Sequence, residues 1–385
     1  MEFKKPRRAN NNLAIPERRW LLLVVLALAL VFGLLAFKRL FLFQPNVLLI
    51  SVDTLRPDRL GCYGYGPDTS PNIDRLAEQG FTFGNCYASS SWTMPSVMSI
   101  HTGLYPFHHG VQWVDSHLPD EMVTLAERFK EKGYDTGAVE SSLFLQGHFG
   151  FAQGFDHYVE KPVHDHRAVS SPYLTEKAID WLGRKRQKPF FLWVHYLDPH
   201  YDYLFHEKAA EFARNIPEQM LNREFSILEL KEELYSLSEA EYRAQNQLYD
   251  GEINYTDQFI GRILEFLREH NMERDTWVIL TSDHGEMLGE HGALGHTEWY
   301  YEPVLRVPLI IKPPREVANP VRIETPVSLV DIAPTLLDLL GMDYDPEMFD
   351  GRALLEQDGR ESSGDENRLL WAQTRTPVVD FTIQT

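Results

Sequence analysis

Two segments of the sequence end in side chains that could bind a metal ion. Asp53 closes the apolar run 46–53, and Asp283 and His284 lie near the end of a second apolar run, 276–286. Carboxylate oxygens together with one imidazole suit a hard or borderline divalent cation. An isolated carboxylate after a strand is more often a cap or a turn residue, so a metal site requires that these residues meet in the fold.

A third polar cluster supports this interpretation. His195, Asp198 and His200 lie at the polar end of the segment 189–200, whose first half is aromatic and aliphatic. Each of these histidines alone would more often be structural. Three clusters that each place Asp or His at the end of an apolar run are harder to explain as separate turns, and together they indicate one shared site.

Thr93 is the candidate nucleophile. It lies just before the segment from Pro95 to Thr102, whose pattern predicts a helix ended by Gly103. The free N–H groups of the first helical turn would favour an anion beside the Thr93 hydroxyl. Coordination to a metal lowers the proton affinity of an alcohol and activates it for attack. Without a metal, the simplest interpretation of Thr93 is a helix cap.

The elements that must position these residues alternate between strands and helices. The predicted strands are 46–53, 81–88, 136–140, 189–200, 276–286 and 306–311, and the predicted helices are 70–80, 95–102, 124–133, 250–270 and 328–341. This order predicts an α/β fold with a large, mostly parallel sheet that carries helices on both faces. The active site of such a fold lies outside the carboxyl ends of the strands, where the polar clusters are.

The composition narrows the range of functions. The 385 residues carry a net charge of −19, and phosphate backbones recruit Lys and Arg, so no nucleic-acid partner is expected. Hydrophobic residues make up 43% of the chain and charged residues 24%, which is typical of a folded protein. The two cysteines, Cys62 and Cys86, have no metal-binding spacing and could either pair or remain buried thiols.

The N-terminal segment predicts membrane anchoring. Residues 20–37 are uncharged and apolar over a length near the lower limit for a membrane-spanning helix, and several Lys and Arg residues precede them. The positive-inside rule then predicts a single-pass protein with a cytoplasmic tail at 1–19, a transmembrane signal anchor at 20–40 and a periplasmic or extracellular catalytic domain. A cleaved signal peptide and a buried core helix are the alternatives.

Over residues 45–342, the chain resembles the sulfatase family of the alkaline phosphatase superfamily. Several segments in the same order carry the resemblance, among them NVLLISVDTLRPDRLGCYGYG, HTGLYPFHHGV, LTSDHGEMLGEHG and PVSLVDIAPTLLDLLG. It implies a sulfatase-like fold, ester hydrolysis or transfer, and one divalent metal ion, with calcium being usual in the family. Carried over by position, the family's metal ligands and nucleophile fall on Asp53, Thr93, Asp283 and His284.

The resemblance also implies roles for four histidines. His200 and His296 match positions that hold the charged group of the substrate or protonate the leaving oxygen, so both are candidate catalytic residues. His109 and His195 are weaker candidates, for substrate binding.

Departures from the family pattern bear on the reaction. Sulfatases oxidise a Cys or Ser in the pattern C/S-x-P-S/A-R to formylglycine, whereas this chain has Thr93 and, in place of the Arg, Val97. Threonine cannot yield the aldehyde, so formylglycine is not possible here. Thr54 replaces the second acidic residue that usually follows Asp53. His284 stands where many sulfatases have Asn, which shifts the metal preference weakly towards Mn²⁺ or Zn²⁺.

These departures favour a phosphoryl centre over a sulfuryl one, because relatives with a Thr nucleophile form a covalent phospho-enzyme. The expected function is that of a membrane-anchored, metal-dependent hydrolase or transferase acting on a phosphate or sulfate ester of a small molecule, glycan or lipid. Two alternatives stay open: a sulfatase that works without formylglycine, and a non-catalytic binding protein that keeps the fold. The sequence does not indicate the oligomeric state.

The predicted domain organisation follows the extent of the resemblance. Residues 41–342 form the predicted catalytic domain, and the charged segment 205–245 is interpreted as a helical insertion. Residues 343–385 are fewer than the C-terminal subdomain of family members usually contains, which predicts a reduced or truncated subdomain.

Overall fold

The structure is a computed structural model that describes residues 25–26, 44–161, 170–201, 203–214, 216–217, 238–315, 320–357, 359–362, 368–373 and 380–383. Pro45–Thr385 forms one compact unit. The predicted tail 1–19 and, except for residues 25 and 26, the predicted anchor 20–40 lie outside the described residues. Among the residues that are described, no helix is both long enough and apolar enough to cross a membrane. The anchor therefore stays a prediction.

One large sheet and two small hairpins account for the described strands. The strands are β1 Asn46–Val52, β2 Phe81–Tyr87, β3 Asp135–Glu140, β4 His157–Glu160, β5 Phe190–Tyr196, β6 Thr276–Ser282, β7 Met287–Leu288, β8 Leu294–Gly295, β9 Arg306–Lys312, β10 Val321–Ile323, β11 Val327–Ser328, β12 Leu370–Gln373 and β13 Asp380–Ile383. The large sheet has the order β10-β2-β9-β6-β1-β5-β3-β4, with β11 also paired to β2. β7 pairs with β8, and β12 with β13.

The large sheet is mostly parallel, as predicted. β1 is parallel to β5 and β6, β3 to β4 and β5, and β10 and β11 to β2. β9 is antiparallel to both of its neighbours, β2 and β6. Gly285, just after β6, donates a backbone hydrogen bond to the carbonyl of Val304, just before β9. The loop between β6 and β9 therefore begins and ends at the same edge of the sheet and does not cross over it. Because a parallel strand would need such a crossover, β9 runs antiparallel to β6.

Helices cover both faces of the sheet, as predicted. They are α1 Pro71–Ala77, α2 Thr93–Thr102, α3 Pro106–His109, α4 Leu125–Glu131, α5 Ser171–Leu182, α6 Glu239–Glu269, α7 Glu302–Leu305 and α8 Ile332–Leu339. One hydrophobic core contains side chains of α2, α4 and α8, and the other contains side chains of α1, α5 and α6. Neighbouring residues of β1, such as Leu49 and Ile50, belong to different cores, which explains why the strand is apolar throughout.

Element boundaries differ from the prediction in several places: β5 and β6 end at Tyr196 and Ser282 rather than at 200 and 286, and two helices begin earlier than predicted. α2 begins at Thr93 itself, with Trp92 as its N-cap residue, so Thr93 lies in the first turn rather than before the helix. α6 begins at Glu239, so the end of the charged segment 205–245 belongs to this long helix rather than to an insertion. Residues 218–237 of that segment lie outside the described residues.

Local sequence explains the early start of α6. The Ser238 side chain accepts a hydrogen bond from the backbone of Glu241, and the Glu241 side chain accepts one from the backbone of Ser238. This reciprocal pair satisfies two N–H groups that a helix start otherwise leaves without partners.

The two cysteines, Cys62 and Cys86, are free thiols and do not form a disulfide.

Candidate metal and nucleophile site

Asp53, Asp283 and His284 meet at the carboxyl edge of the sheet. β1 and β6 are adjacent parallel strands in which Val52 pairs with Ser282, so the residues that follow them come side by side. One possible ligand atom from each of the three residues lies within 4.8 Å of the other two. All three side chains are buried. The strand register therefore brings the predicted metal ligands together.

The unpaired atoms of this cluster face one another. Asp53 Oδ1 and Asp283 Oδ2 have no hydrogen-bond partner among the described residues, and they lie 3.6 and 3.4 Å from His284 Nε2. His284 Nδ1 lies 2.9 Å from the carbonyl oxygen of Gly285. Because a carbonyl can only accept, we assign the proton to Nδ1, which leaves Nε2 with a lone pair. Two carboxylate oxygens and an imidazole nitrogen, all buried, fit a divalent cation.

The pKa of Asp53 supports the same conclusion. Burial, and next the negative charge of Asp283, raise the pKa of Asp53 from 3.8 to about 6. The negative charge of Asp283 therefore makes ionisation of Asp53 less favourable than that of a free carboxylate, and a nearby positive charge would offset this effect. A bound divalent cation would supply that charge.

Thr93 lies beside the metal-binding residues. Its Oγ1 is 3.3 Å from His284 Nε2 and 3.5 Å from Asp53 Oδ2. Thr93 is also the first residue of α2, whose N-cap residue, Trp92, makes no side-chain capping bond. The N–H groups of this turn and the positive end of the helix dipole therefore lie next to the hydroxyl, where they favour a bound anion.

Three hydrogen bonds hold the start of α2 in place. Ser96 Oγ donates a hydrogen bond of 2.6 Å to the backbone carbonyl of Asp283. Ser91 Oγ donates to the carbonyl of Thr297 at 2.8 Å, and the backbone N–H of Thr297 donates to the carbonyl of Ser91 at 2.9 Å. The helix that carries the candidate nucleophile is thus joined directly to the loops that carry the metal ligands and His296.

The described residues beyond 342 also support the segment before Thr93. The backbone N–H of Gln373 donates to the carbonyl of Ser89 at 2.9 Å. Arg368 forms an ion pair of 2.7 Å with the buried carboxylate of Asp331. These contacts attach the C-terminal part of the chain to the segment between β2 and the candidate nucleophile and to the turn before α8.

His296 lies next to the metal-binding cluster and is held by Glu286. His296 Nδ1 is 2.8 Å from Oε1 of this completely buried glutamate. The β7–β8 hairpin aligns the two residues: Met287 pairs with Gly295, so Glu286 and His296 face each other one step beyond that pair. The His296 ring is centred 4.4 Å from the His284 ring. Nδ1 donates to Glu286, which leaves Nε2 as the nitrogen that can address a substrate.

His200 joins the same group of rings. Its ring centre lies 5.0 Å from that of His296, and its Nδ1 contacts the backbone carbonyl of Tyr201. The Tyr201 ring lies 5.3 Å from the His296 ring. The structure therefore brings both candidate catalytic histidines to the site.

His195 is placed differently from a substrate-binding residue. It is completely buried, with Nδ1 2.8 Å from Ser51 Oγ and Nε2 3.7 Å from Asp53 Oδ2. His195 therefore contacts a metal-binding residue rather than open space, and its role in substrate binding stays a prediction without support from its position.

His109 is also completely buried. Its Nδ1 accepts a hydrogen bond from the backbone N–H of Val111, and its Nε2 lies 3.2 Å from Ser99 Oγ. Burial lowers the pKa of His109 to about 3, so the ring is neutral. Because both ring nitrogens are used inside the fold, neither remains for a substrate.

Three residues of the site, Glu286, Ser96 and Ser51, are not among those predicted from the sequence. The signal for Glu286 was available, because the sequence MLGEHGALG between Glu286 and His296 is glycine-rich and compatible with a tight hairpin. Ser96 and Ser51 gave no such signal, since a serine in a helix or a strand has no distinctive pattern.

Comparison with known proteins agrees with this geometry. The sulfatase family profile matches residues 45–342. The uncharacterized sulfatase YidJ of Escherichia coli K12 is 27% identical over 357 residues, covering 81% of this chain and 71% of YidJ. The multifunctional alkaline phosphatase superfamily protein PehA of Trinickia caryophylli is 28% identical over 397 residues, covering 81% and 76% of the two chains.

A solved structure shows that the fold is shared. The phosphonate monoester hydrolase of Agrobacterium radiobacter superposes with a TM-score of 0.70 at 23% identity, over 87% of this chain and 81% of that chain. Together with the family match over most of the sequence, this shows that the chain belongs to the sulfatase family, whose members are metal-dependent ester hydrolases of the alkaline phosphatase superfamily.

Proposed function

We propose that this protein is a metal-dependent ester hydrolase that uses Thr93 to attack a phosphoryl centre. The observation that carries the proposal is the position of Thr93 Oγ1, within 3.5 Å of Asp53 Oδ2 and 3.3 Å of His284 Nε2 at the start of α2. A threonine cannot become formylglycine, so this side chain has only its hydroxyl to offer. A hydroxyl nucleophile beside a metal site suits formation of a phosphothreonine.

Asp53 Oδ1, Asp283 Oδ2 and His284 Nε2 would hold the metal ion. When bound, a divalent cation would neutralise charge on the ester and lower the proton affinity of the Thr93 hydroxyl. Ca²⁺, Mn²⁺ and Zn²⁺ are all compatible with this mixed oxygen and nitrogen set.

Thr93 begins the reaction in this proposal. Its oxygen bonds to phosphorus as the bond between phosphorus and the leaving oxygen breaks, and its proton has Asp53 Oδ2 as an acceptor at 3.5 Å. The N–H groups of the first turn of α2 stabilise the non-bridging oxygens. Water then releases the phosphothreonine in hydrolysis, or a second alcohol does so in transfer.

His296 protonates the leaving oxygen in the same proposal. Its Nδ1 is occupied by Glu286 at 2.8 Å, so the buried carboxylate stabilises the charged imidazolium and orients Nε2. His200, 5.0 Å away between ring centres, binds the charged group of the substrate. A positioned acid of this kind contributes about 10²–10⁴-fold to the rate.

A phosphodiester or a phosphonate monoester is the substrate class that we favour. The support is the threonine nucleophile, the departure at Val97, and the likeness of the fold to a phosphonate monoester hydrolase. A sulfate ester is the second candidate, because the similar protein YidJ is named a sulfatase. We further propose that the enzyme is anchored by residues 20–40 and acts outside the cytoplasm on a small-molecule, glycan or lipid ester.

The test is intact mass spectrometry of the full-length chain, purified in mild detergent and incubated with Mn²⁺ and bis(4-nitrophenyl) phosphate. Thr93→Ala and Thr93→Ser are compared with the wild type. We expect a nitrophenyl-phosphoryl adduct on the wild type and on Thr93→Ser, and none on Thr93→Ala. Turnover that survives in Thr93→Ala would contradict a Thr93 nucleophile and indicate an attacking water.

Parallel assays decide the substrate class. The same preparations are given 4-nitrophenyl phenylphosphonate and 4-nitrophenyl sulfate. The proposal expects kcat/KM for the phosphonate or the diester to exceed that for the sulfate. A preference for the sulfate would support the second candidate. Absence of turnover and adduct in a protein that binds Mn²⁺ would indicate a non-catalytic binding protein.

A further inference from the structure

Three buried side chains form a line of polar contacts that ends at Asp53. Trp193 Nε1 lies 2.9 Å from Ser51 Oγ, and Ser51 Oγ lies 2.8 Å from His195 Nδ1. At the other side of the ring, His195 Nε2 lies 3.7 Å from Asp53 Oδ2. All four residues have at most 1% of their surface exposed. Polar groups that are buried to this extent interact with one another rather than with solvent.

The direction of these contacts follows from the chemistry of the donors. An indole N–H can only donate, so Ser51 Oγ accepts from Trp193. The Ser51 hydroxyl keeps its own proton, and His195 Nδ1 lies at 2.8 Å to accept it. Ser51 and His195 are register partners in the adjacent parallel strands β1 and β5, which fixes this approach. An acceptor role for Nδ1 places the proton of the neutral ring on Nε2.

The proton on Nε2 points at one oxygen of Asp53. His195 Nε2 has no hydrogen-bond partner among the described residues, and Asp53 Oδ2 lies just beyond hydrogen-bond distance from it. The other oxygen, Oδ1, is the unpaired atom that faces His284 Nε2 at 3.6 Å. The two oxygens of Asp53 therefore have different neighbours: Oδ2 lies near two proton donors, His195 Nε2 and the Thr93 hydroxyl, and Oδ1 faces the candidate metal-binding cluster.

We propose that His195 is a positioning residue for the metal ligand Asp53, with its tautomer set by Ser51 and Trp193. This inference rests on the proposed metal site. His195 holds Oδ2 so that Oδ1 stays directed at the cation, and it touches neither substrate nor metal. His195 is outside the group of ligand atoms that lie within 4.8 Å of one another, which separates this role from that of a fourth ligand. Groups that orient a metal ligand in this way typically contribute about 10–100-fold to metal affinity.

The test measures Mn²⁺ binding to the full-length chain in detergent, using the electron paramagnetic resonance signal of free Mn²⁺. We expect His195→Leu to raise the Kd for Mn²⁺ by about 10–100-fold. His195→Gln keeps an N–H donor near the position of Nε2 and is expected to lose less. Ser51→Ala removes the group that sets the tautomer and is expected to fall between the wild type and His195→Leu, while Ser51→Thr keeps the hydroxyl and restores binding.

His101→Leu is the matched control. His101 is buried in the same core, its ring centre is 4.3 Å from that of Trp193, and neither of its nitrogens has a hydrogen-bond partner among the described residues. This variant perturbs the same packing without touching Asp53, so its Kd for Mn²⁺ should match that of the wild type. Thermal unfolding of each metal-free variant verifies that it is folded.

Two results would overturn the inference. One is a folded His195→Leu variant that binds Mn²⁺ as tightly as the wild type. The other is a ¹⁵N-histidine spectrum of the metal-free protein in which the signal lost in His195→Gln has its proton on Nδ1. If the wild type forms the Thr93 adduct while His195→Leu binds metal normally, this inference fails and the proposed function stands. If the wild type binds neither Mn²⁺ nor Ca²⁺, both fail.

Discussion

Ser96 Oγ donates a hydrogen bond of 2.6 Å to the backbone carbonyl of Asp283, which joins the first turn of α2 to the end of β6. Thr93 lies one helical turn before Ser96, and His284 directly follows Asp283. This buried contact therefore helps to fix the distance between the candidate nucleophile and two of the candidate metal ligands. The Ser96 hydroxyl and the Asp283 backbone carbonyl, which form this contact, have no part in the proposed chemistry.

Ser96→Ala is expected to lower the free energy of unfolding by about 1–3 kcal/mol, because it leaves the buried carbonyl of Asp283 without its partner. It should also lower kcat more than it raises KM, since the hydroxyl of Thr93 loses its fixed distance to the metal site. Ser99→Ala is the control: Ser99 Oγ lies 3.2 Å from His109 on the same helix. Urea unfolding and steady-state kinetics of both variants test this, and equal effects on kcat would contradict it.

Asp283→Asn is expected to weaken Mn²⁺ binding by more than about 100-fold, because it removes the charge of a direct ligand rather than of a supporting residue. The same change should raise the thermal stability of the metal-free protein, since the charge of Asp283 opposes ionisation of Asp53. Calorimetric titration and thermal unfolding with and without Mn²⁺ measure the two effects. A variant that loses stability in the absence of metal would show that the two carboxylates do not repel each other.

Mn²⁺ affinity is expected to fall about tenfold for each pH unit below about 6, because protons compete for an Asp53 carboxylate whose pKa is raised to about 6. Without metal, the effect on stability has the opposite direction. The folded state holds this proton more tightly than the unfolded state, whose pKa is 3.8, so stability falls as pH rises from 3.8 to about 6.

Asp53→Asn provides the control for this pH dependence. Other buried carboxyls have raised pKa values, among them Glu252 at about 7 and Asp257 at about 6, and they change stability in the same direction. The contribution of Asp53 is the difference in pH slope between the wild type and Asp53→Asn, measured by urea unfolding with EDTA. Identical slopes would mean that Asp53 is not perturbed.

His296→Asn is expected to slow the hydrolysis of esters with poor leaving groups far more than that of nitrophenyl esters. An alkoxide needs a proton as it leaves, so the loss should reach about 10²–10⁴-fold for an alkyl ester. A nitrophenolate needs little help, and its ester should lose much less. Equal losses for both ester types would assign His296 to binding the charged group of the substrate instead.

Glu286→Gln is the companion variant for His296. In the wild type the Glu286 carboxylate accepts a hydrogen bond from His296 Nδ1 at 2.8 Å. The amide of the variant can still accept this hydrogen bond, but an uncharged amide cannot stabilise the imidazolium by charge. The loss of kcat with an alkyl ester should therefore be measurable but smaller than in His296→Asn. A variant with the kcat of the wild type for this ester would show that the carboxylate charge plays no part.

The central strands and the grouping of the candidate metal ligands could be predicted from the sequence because their signals are local. β1, β5 and β6 are mostly apolar strands buried on both faces, and Asp53 and Asp283 directly follow β1 and β6 at the same edge. Parallel strands place those ends together whatever the details of packing. For this reason Asp53, Asp283 and His284 could be grouped before any coordinates were known.

Features set by long-range contacts could not be predicted in the same way. The antiparallel direction of β9 depends on backbone contacts between the two ends of a loop, and its apolar pattern is equally compatible with a parallel strand. The placement of His195 depends on its register with Ser51, because a shift of one residue would turn the ring to the other face. The position of His195 in the family motif predicts contact with the substrate. In the structure the side chain is buried and lies near Asp53 instead.

The pairing of β1 with β5 and β6 has a consequence for biosynthesis. Asp53 emerges from the ribosome 230 residues before Asp283, and the strand that precedes it gains its neighbours only when residues 190–196 and 276–282 have been made. At about 5–20 residues per second, this interval is roughly 10–50 s. The first neighbour of β1, strand β5, is complete about 140 residues after β1, which takes roughly 7–30 s at the same rate, and until then β1 has no partner in the sheet. Because unpaired apolar strands are prone to aggregate, we expect the nascent chain to need protection from aggregation until the last central strand has been made.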